Sequence, residues 1–450
     1  MPIIEAYMPK ILTILIVSLA ISSAYGFDLP VSKIPDDSLL RISLLKIWFT
    51  EVPVKVLSLP SRTEILESGE RVEVSISEGR DVFNIHLSRE LMRGTGPSNR
   101  RATGVYPGTA QGSWMLTRRK DNGEGTQIRI FLRSDQNTMI QLRPFSRDKS
   151  FMDVILYGGY VAQSIPIAVS FERLYTMQLN DILKLAQNKF PSRYFEPDIG
   201  CYREHRSLIA AVRAKTSALR FADDGAVDEN GNYVFIETSK AQNAANAGLN
   251  CSGYAKWLID GILRPVTGNR LSIGPLKAPF GERGSSFTEF WEKSRDVFFG
   301  LDWIRNLASI ANGTLRSPAY GKLEEFEVRN DNFAAIMVNQ NKNFVTQSYP
   351  GFTPEAGYGI EGLHPLLYTL AVDEPFNFYL AAVSNEIRGT PPLRQYYHIA
   401  ALIPYFDENG NFNIAVFESA AETSFGDFRR RYPSHHVNLV KIPVTPTFDP

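Results

Sequence analysis

Two residues in the C-terminal half of this chain could carry acyl-transfer chemistry: a thiol at the start of a helix and an imidazole at the start of a strand. The thiol is Cys251, in the string Asn250-Cys251-Ser252-Gly253-Tyr254. Tyr254, Trp257, Leu258, Gly261 and Ile262 follow at i, i+3, i+4, i+7 and i+8, which predicts one buried face of a helix. Cys251 then falls at or just before the first turn. A helix N-terminus carries unpaired N–H groups and partial positive charge. Both favour thiolate over thiol, and the thiolate is the nucleophile. The same N–H groups can stabilise an oxyanion during acyl transfer. Ser252 and Gly253 are small, which leaves room for a substrate carbonyl.

A thiolate nucleophile needs a base that takes and returns a proton. Of the six histidines, His86 falls in a strand-rich region and His205 precedes the nucleophile. His364 stands before a proline, and His435 and His436 lie near the C-terminus. His398 opens the apolar run Ile399 to Ile403, predicted as a strand that would aim the ring rigidly. The chain then turns through Asp407-Glu408-Asn409-Gly410-Asn411 and returns along Phe412 to Glu418. A third group must fix the imidazole tautomer. His398 and Glu418 lie ten residues either side of Glu408, so a tight hairpin would bring them level. Glu418 is the first candidate. Ser419, Glu422 and Asn438 stay open, because a one-residue slip of register flips the face. No metal and no organic cofactor is implied.

The elements that must hold these groups follow a strand-rich first part. Val72, Val74 and Ile76 alternate with Glu73 and Ser75, and Ile128, Ile130 and Leu132 repeat the pattern. The stretch from Arg93 to Gly112 has no period and reads as a loop, made basic by Arg93, Arg100 and Arg101. Leu179, Ile182, Leu183 and Ala186 fall at helical spacing, and Pro191 ends that segment. The domain boundary is placed here, giving a β-rich domain over 27–172 and a mixed domain over 173–450. Asp228 to Asn232 repeats the string of Asp407 to Asn411, and Asn-Gly between apolar runs predicts a hairpin at each, with both central residues at positive φ. Phe287, Phe290, Trp291, Phe298, Trp303 and Ile304 read as a core stripe.

The string around Cys251 resembles the Asp-Cys-Ser-Gly-aromatic motif of NlpC-type cysteine peptidases, which are papain-like cell-wall endopeptidases. The His398 strand, the Asn409-Gly410 turn and Glu418 are similar to that family's base strand and third polar residue. The resemblance implies an α+β fold with a papain-like C-terminal domain. It implies hydrolysis of peptide amide bonds in peptidoglycan, and a separate N-terminal wall-binding module. Asn250 stands where the family has Asp, and Glu418 where it has His, Asn or Gln. His398 follows Cys251 by 147 residues, far beyond the compact family spacing, which requires an insertion over about 265–390. That span falls within the roughly 130–150 residues of papain-type enzymes. The papain signature around the nucleophile is absent.

Composition bounds the remaining choices. The chain has 450 residues, with 48 Lys+Arg against 48 Asp+Glu. A neutral balance argues against a dedicated nucleic-acid binder. Lys10, the apolar run Ile11 to Ala20, and Ala24 and Gly26 at −3 and −1 form a secretory signal pattern over 1–26. The run is short of the ~20 residues of a membrane span. The mature protein is therefore expected to begin near Phe27, with no stable membrane span, and to be secreted or periplasmic. Its two cysteines could form a bridge worth roughly 4 kcal/mol. That bridge belongs to the alternative reading, a non-catalytic envelope-binding protein with a degenerate papain-like domain.

Overall fold

Alternation of apolar and polar residues in the N-terminal part produces a continuous antiparallel meander. In the computed structural model, which describes residues 29–93, 101–280, 297–339, 345–349, 351–354, 356–387 and 393–450, eight strands between Arg62 and Ile167 pair in chain order wherever they neighbour. The signal-like segment 1–26, Arg100, Phe287, Phe290 and Trp291 lie outside the described residues. Within Arg71–Glu78, Val72 and Val74 are fully buried while Arg71 stays exposed, the expected one-sided strand. The Arg93 to Gly112 stretch is not wholly irregular, since Met92–Arg93 pairs with Arg101–Ala102 in a small ribbon.

The helix Leu179–Ala186 does not join the C-terminal part. Leu179, Ile182 and Ala186 bury their stripe against the first sheet, with Phe171, Leu174 and Tyr175 before them. The apolar period marks a change of element, not a change of core, so the first unit runs some twenty residues past 172. Two later strands, Ala335–Asn339 and Val345–Tyr349, extend the same sheet from Gly159 to make it ten-stranded.

The C-terminal part is built on a seven-stranded antiparallel sheet with helices on both faces, so the chain is an α+β protein. Its centre is the strand Asn377–Ile387, flanked by Leu393–Phe406 on one side and His436–Pro443 on the other. Side chains alternate between two cores. Phe378, Leu380 and Ala382 face the helices Cys251–Thr267 and Phe299–Leu315. Tyr379, Ala381 and Val383 face the helix Leu363–Asp373 and Phe428. The segment over 265–390 is therefore shared out: Phe299–Leu315 on one face of the second sheet and Leu363–Asp373 on the other, two strands in the first sheet, and in the second its central strand with the short strands Phe352–Thr353 and Gly357–Gly359.

Both Asp-Glu-Asn-Gly-Asn strings make hairpin turns, but of a different type from the expected one. Only the glycine of each has positive φ, Gly231 at 88° and Gly410 at 80°. The Asp side chain takes the strain off the asparagines: Asp407 Oδ1 accepts from Asn409 N at 2.9 Å and Asn411 N at 2.8 Å, and Asp228 does the same at 2.9 and 2.8 Å.

The helix that begins with Cys251 carries a wholly buried ion pair, Lys256 Nζ to Asp260 Oδ2 at 2.6 Å. Asp260 Oδ1 also accepts from Leu271 N at 2.8 Å. Removing one partner strands a buried charge, so Lys256→Ala is expected to cost about 3–5 kcal/mol in chemical denaturation. No helix among the described residues is long and apolar enough to cross a membrane.

Candidate active site

The N-terminus of the Cys251 helix is seated by backbone packing. Asn250 is the N-cap, its Oδ1 accepting from Gly253 N at 2.8 Å, while its own N–H donates to Gly225 O at 3.0 Å. A neutral cap satisfies one orphan donor without cancelling the positive end of the helix, as an Asp there would. Trp303 Nε1 donates to Ser252 O at 2.9 Å from the neighbouring helix. Ser252 and Gly253 are buried, and a Cβ on Gly253 would lie 1.9 Å from Gly225 O. The missing side chain of Gly253 therefore lets the helix approach the strand Gly225–Val227, and as both residues are buried neither opens the site to substrate. Cys251 itself is half-buried. Both Cys251 and Cys201 are free thiols, so the bridge considered from sequence is not formed.

His398 reaches Cys251 through an irregularity in its strand. Val383 pairs with His398 but Ser384 pairs with Tyr396, so Tyr397 is an extra, bulged residue directly before the imidazole. Bulges re-aim the side chains beside them. On the other edge, pairing with the strand Phe412–Glu418 begins only at Ala401 opposite Phe417. Beside that unpaired stretch, the His398 ring and the Ile399 N–H come close enough to the Cys251 sulfur to act on its charge.

Glu418 meets His398 diagonally. The turn leaves Phe406 opposite Phe412, so one step beyond Phe417 Glu418 comes level with Ala400, on the face that His398 shares. The expected pairing level with His398 is thus displaced by two residues, because the turn centres on Asn409 and not on Glu408. His398 Nε2 and Glu418 Oε2 lie 2.6 Å apart. Arg431 Nη2 donates to the other carboxylate oxygen. A two-residue turn with Ser419 at φ 47° and Ala420 at φ 60° ends the strand immediately after Glu418. Of the alternatives, Ser419 is spent in that turn. Glu422 is engaged by Arg213 at 2.6 and 2.7 Å. Asn438 lies opposite Ala382, with a whole strand between it and His398.

The three groups titrate as one unit. Burial pushes the Cys251 thiol up, but the His398 hydrogen bond and charge, with the Ile399 N–H, outweigh it and leave the thiol below its ordinary range. Burial pushes His398 down, yet Cys251 and Glu418 raise it to about 9. Burial likewise raises Glu418, and His398 and Arg431 bring it below the usual carboxylate range. All three directions favour the charged forms, thiolate, imidazolium and carboxylate, over the neutral ones. Since Nε2 is held by Glu418, Nδ1 is the ring nitrogen left for the sulfur.

Three of the other histidines, His86, His205 and His364, are placed elsewhere. His205 Nε2 contacts Asn377 O at 3.1 Å, and His86 contacts Ser77 Oγ at 2.7 Å. His364 packs edge-on to Tyr157 at 4.9 Å. It lines a cavity of about 580 Å³ with Asp135, Asn137, Tyr349 and Arg429. The chemistry of a thiol beside an imidazole, and not cavity volume, points to Cys251. Among the described residues no cluster of His, Cys, Asp or Glu is arranged to hold a metal ion. Sequence reasoning missed Arg431, Tyr432 and the bulge at Tyr397. The run Arg429-Arg430-Arg431 was a visible signal for the first; a bulge leaves none.

Comparison with known families touches a different part of the chain. A domain of unknown function, DUF8515, matches residues 30–194. Those limits follow the first eight strands of the first sheet and the helix packed on it, and exclude its last two strands as well as Cys251, His398 and Glu418. No curated protein and no solved structure matches the chain.

Proposed function

We propose that this chain is an exported cysteine hydrolase of papain-like, NlpC-type architecture that cleaves peptide amide bonds in peptidoglycan. The observation that carries the reading is the line from Cys251 through His398 to Glu418. A half-buried thiol at a capped helix N-terminus faces an imidazole whose far nitrogen lies 2.6 Å from a buried carboxylate. A Cys that begins a helix, with a His on a strand that hairpins to a third polar residue, is also the layout that the sequence resemblance implies.

In this reading the Cys251 sulfur attacks the scissile carbonyl. Backbone N–H groups of the first helical turn receive the developing oxyanion. His398 Nδ1 passes its proton to the departing amine, leaving a thioester and a neutral imidazole. The imidazole then takes a proton from water, whose oxygen attacks the thioester and frees the acid. Glu418 keeps the tautomer and orientation throughout.

The pH dependence follows from the two raised and lowered groups. Cys251 is a thiolate above its lowered pKa, and His398 stays charged until about 9. Hydrolysis should therefore have a plateau that is lost on the acid side as Cys251 protonates and on the alkaline side as His398 loses its proton. Cys201 is an internal control, since burial and the Asp198 carboxylate push its thiol up. Iodoacetamide at neutral pH should label Cys251 before Cys201, read by peptide mass spectrometry. Preferential labelling of Cys201, or a failure of the protein to release peptides from purified sacculi, would refute the proposal.

A further inference from the structure

The short helix Phe425–Arg431 approaches the candidate site from the side opposite the Cys251 helix. Its start is capped by Ser424, whose Oγ accepts from Asp427 N at 3.0 Å. Phe428 is fully buried and pins it to the sheet. Arg429 reaches away to Glu361 at 2.5 Å. The end of the helix, Arg431 and Tyr432, then faces the two acid–base residues together.

We propose that Arg431, supported by the ring of Tyr432, is a positioning residue that holds Glu418 and His398 in line with Cys251. The inference rests on the reading of Cys251 as a nucleophile and assigns a role that the sequence motif does not contain. Glu418 is only 4% exposed, and its two oxygens are divided between His398 and Arg431. A buried carboxylate with one oxygen unpaired is costly, and it turns or protonates to relieve that cost. Arg431 prevents both. Its side chain is 46% exposed, so it can be removed without opening a cavity. Tyr432 closes the remaining freedom: its ring stacks on the imidazole, centroids 5.3 Å apart and planes at 29°. The Arg431 guanidinium lies 5.4 Å from the same ring.

The groups that face this pair are few. Cys251 approaches from its helix, and Arg431 and Tyr432 from the helix end. Asp427 acts on Arg431 but is itself paired with Arg430. Tyr397 and His435 lie beyond Tyr432, at 6.4 and 5.7 Å between ring centroids. Without Arg431, Glu418 would protonate at higher pH. A protonated Glu418 no longer supports the imidazolium, which in turn no longer supports the thiolate. Loss of the guanidinium charge acts on the thiolate in the same direction.

The test is the pH dependence of iodoacetamide alkylation at Cys251 in the full chain, which needs no substrate. In Arg431→Ala and in Arg431→Gln the acid limb should move up by about one pH unit relative to wild type. Arg431→Lys should restore part of the shift, and Arg430→Ala should leave the limb in place. Tyr432→Phe, which keeps the ring, should match wild type, whereas Tyr432→Ala should not. If the Arg431→Ala and Arg431→Gln limbs coincide with wild type, the positioning role is wrong while the nucleophile stands. If wild-type Cys251 itself has no lowered limb, the nucleophile reading falls first.

Discussion

Replacing Cys251 by alanine is expected to lower hydrolysis of a peptide amide at least roughly a thousandfold while leaving the fold in place. The magnitude follows from what is removed. Without the sulfur there is no covalent intermediate, and only binding and the helix N–H groups remain to favour the transition state. The small effect on stability follows from position. Cys251 is the first residue of its helix and half-buried, and alanine is the better helix former there. Its departure opens no large cavity, so the unfolding midpoint should move by less than the equivalent of about 1 kcal/mol. The two readouts must be taken together: peptide release from sacculi, and chemical denaturation. Cys251→Ser is the second arm. It keeps a polar atom facing His398, but a hydroxyl is far less acidic than a thiol, so its activity should lie near that of the alanine variant. Full activity in the alanine variant would end the hydrolase proposal whatever the geometry. Unfolding of both variants would show that the thiol is a structural residue.

How much of this site could be read from residue order depends on which physical rule set each part. The Cys251 helix was legible because its apolar face has a helical period. The His398 strand and its return to Glu418 were legible because Asn409-Gly410 separates two apolar runs. Register was not. Asp407 captures two backbone N–H groups and moves the centre of the turn by one residue, so Glu418 meets His398 diagonally. The bulge at Tyr397 was invisible for a related reason: an extra residue between paired strands is a property of two strands, and no pattern in one of them records it. Ser419 and Ala420 at positive φ run against their own preferences, which tertiary contacts override beside the site. The first unit was legible as β from its alternation. Its end was not, because a change from period two to period 3.6 marks where a strand gives way to a helix and says nothing about which core that helix joins. Likewise the strands Ala335–Asn339 and Val345–Tyr349 add to a sheet whose other members end at Ile167. Such long-range pairing leaves no local mark.

Gly253→Ala is expected to destabilise the protein by about 2–3 kcal/mol, although helix propensity alone predicts a gain of about 1 kcal/mol from the same change. Two effects compete and distance decides between them. Gly253 lies inside the first turn, where alanine would ordinarily help. An added Cβ would stand 1.9 Å from Gly225 O, 2.8 Å from Ala226 Cα and 2.9 Å from Gly225 C. All three are backbone atoms, and they cannot swing aside as the end of a side chain would. Gly225 and Gly248 share the crowding: a Cβ on Gly225 would meet Gly248 O at 2.1 Å, and one on Gly248 would meet Arg220 O at 2.4 Å. Backbone bonds tie the same segments, from Leu249 N to Arg220 O at 2.9 Å and from Asn250 N to Gly225 O at 3.0 Å. The glycines thus let three stretches of backbone touch directly beneath Cys251. Any shift there carries the sulfur with it, so Gly253→Ala should also slow iodoacetamide labelling of Cys251 at neutral pH. Gly274→Ala is the matched control, since a Cβ there would meet nothing within 4 Å, and it should lie within about 0.5 kcal/mol of wild type. Denaturation midpoints for the two variants decide the matter. A Gly253→Ala protein as stable as wild type would mean that the helix start is not seated on this backbone, and the thiol would lose the geometry on which its chemistry depends.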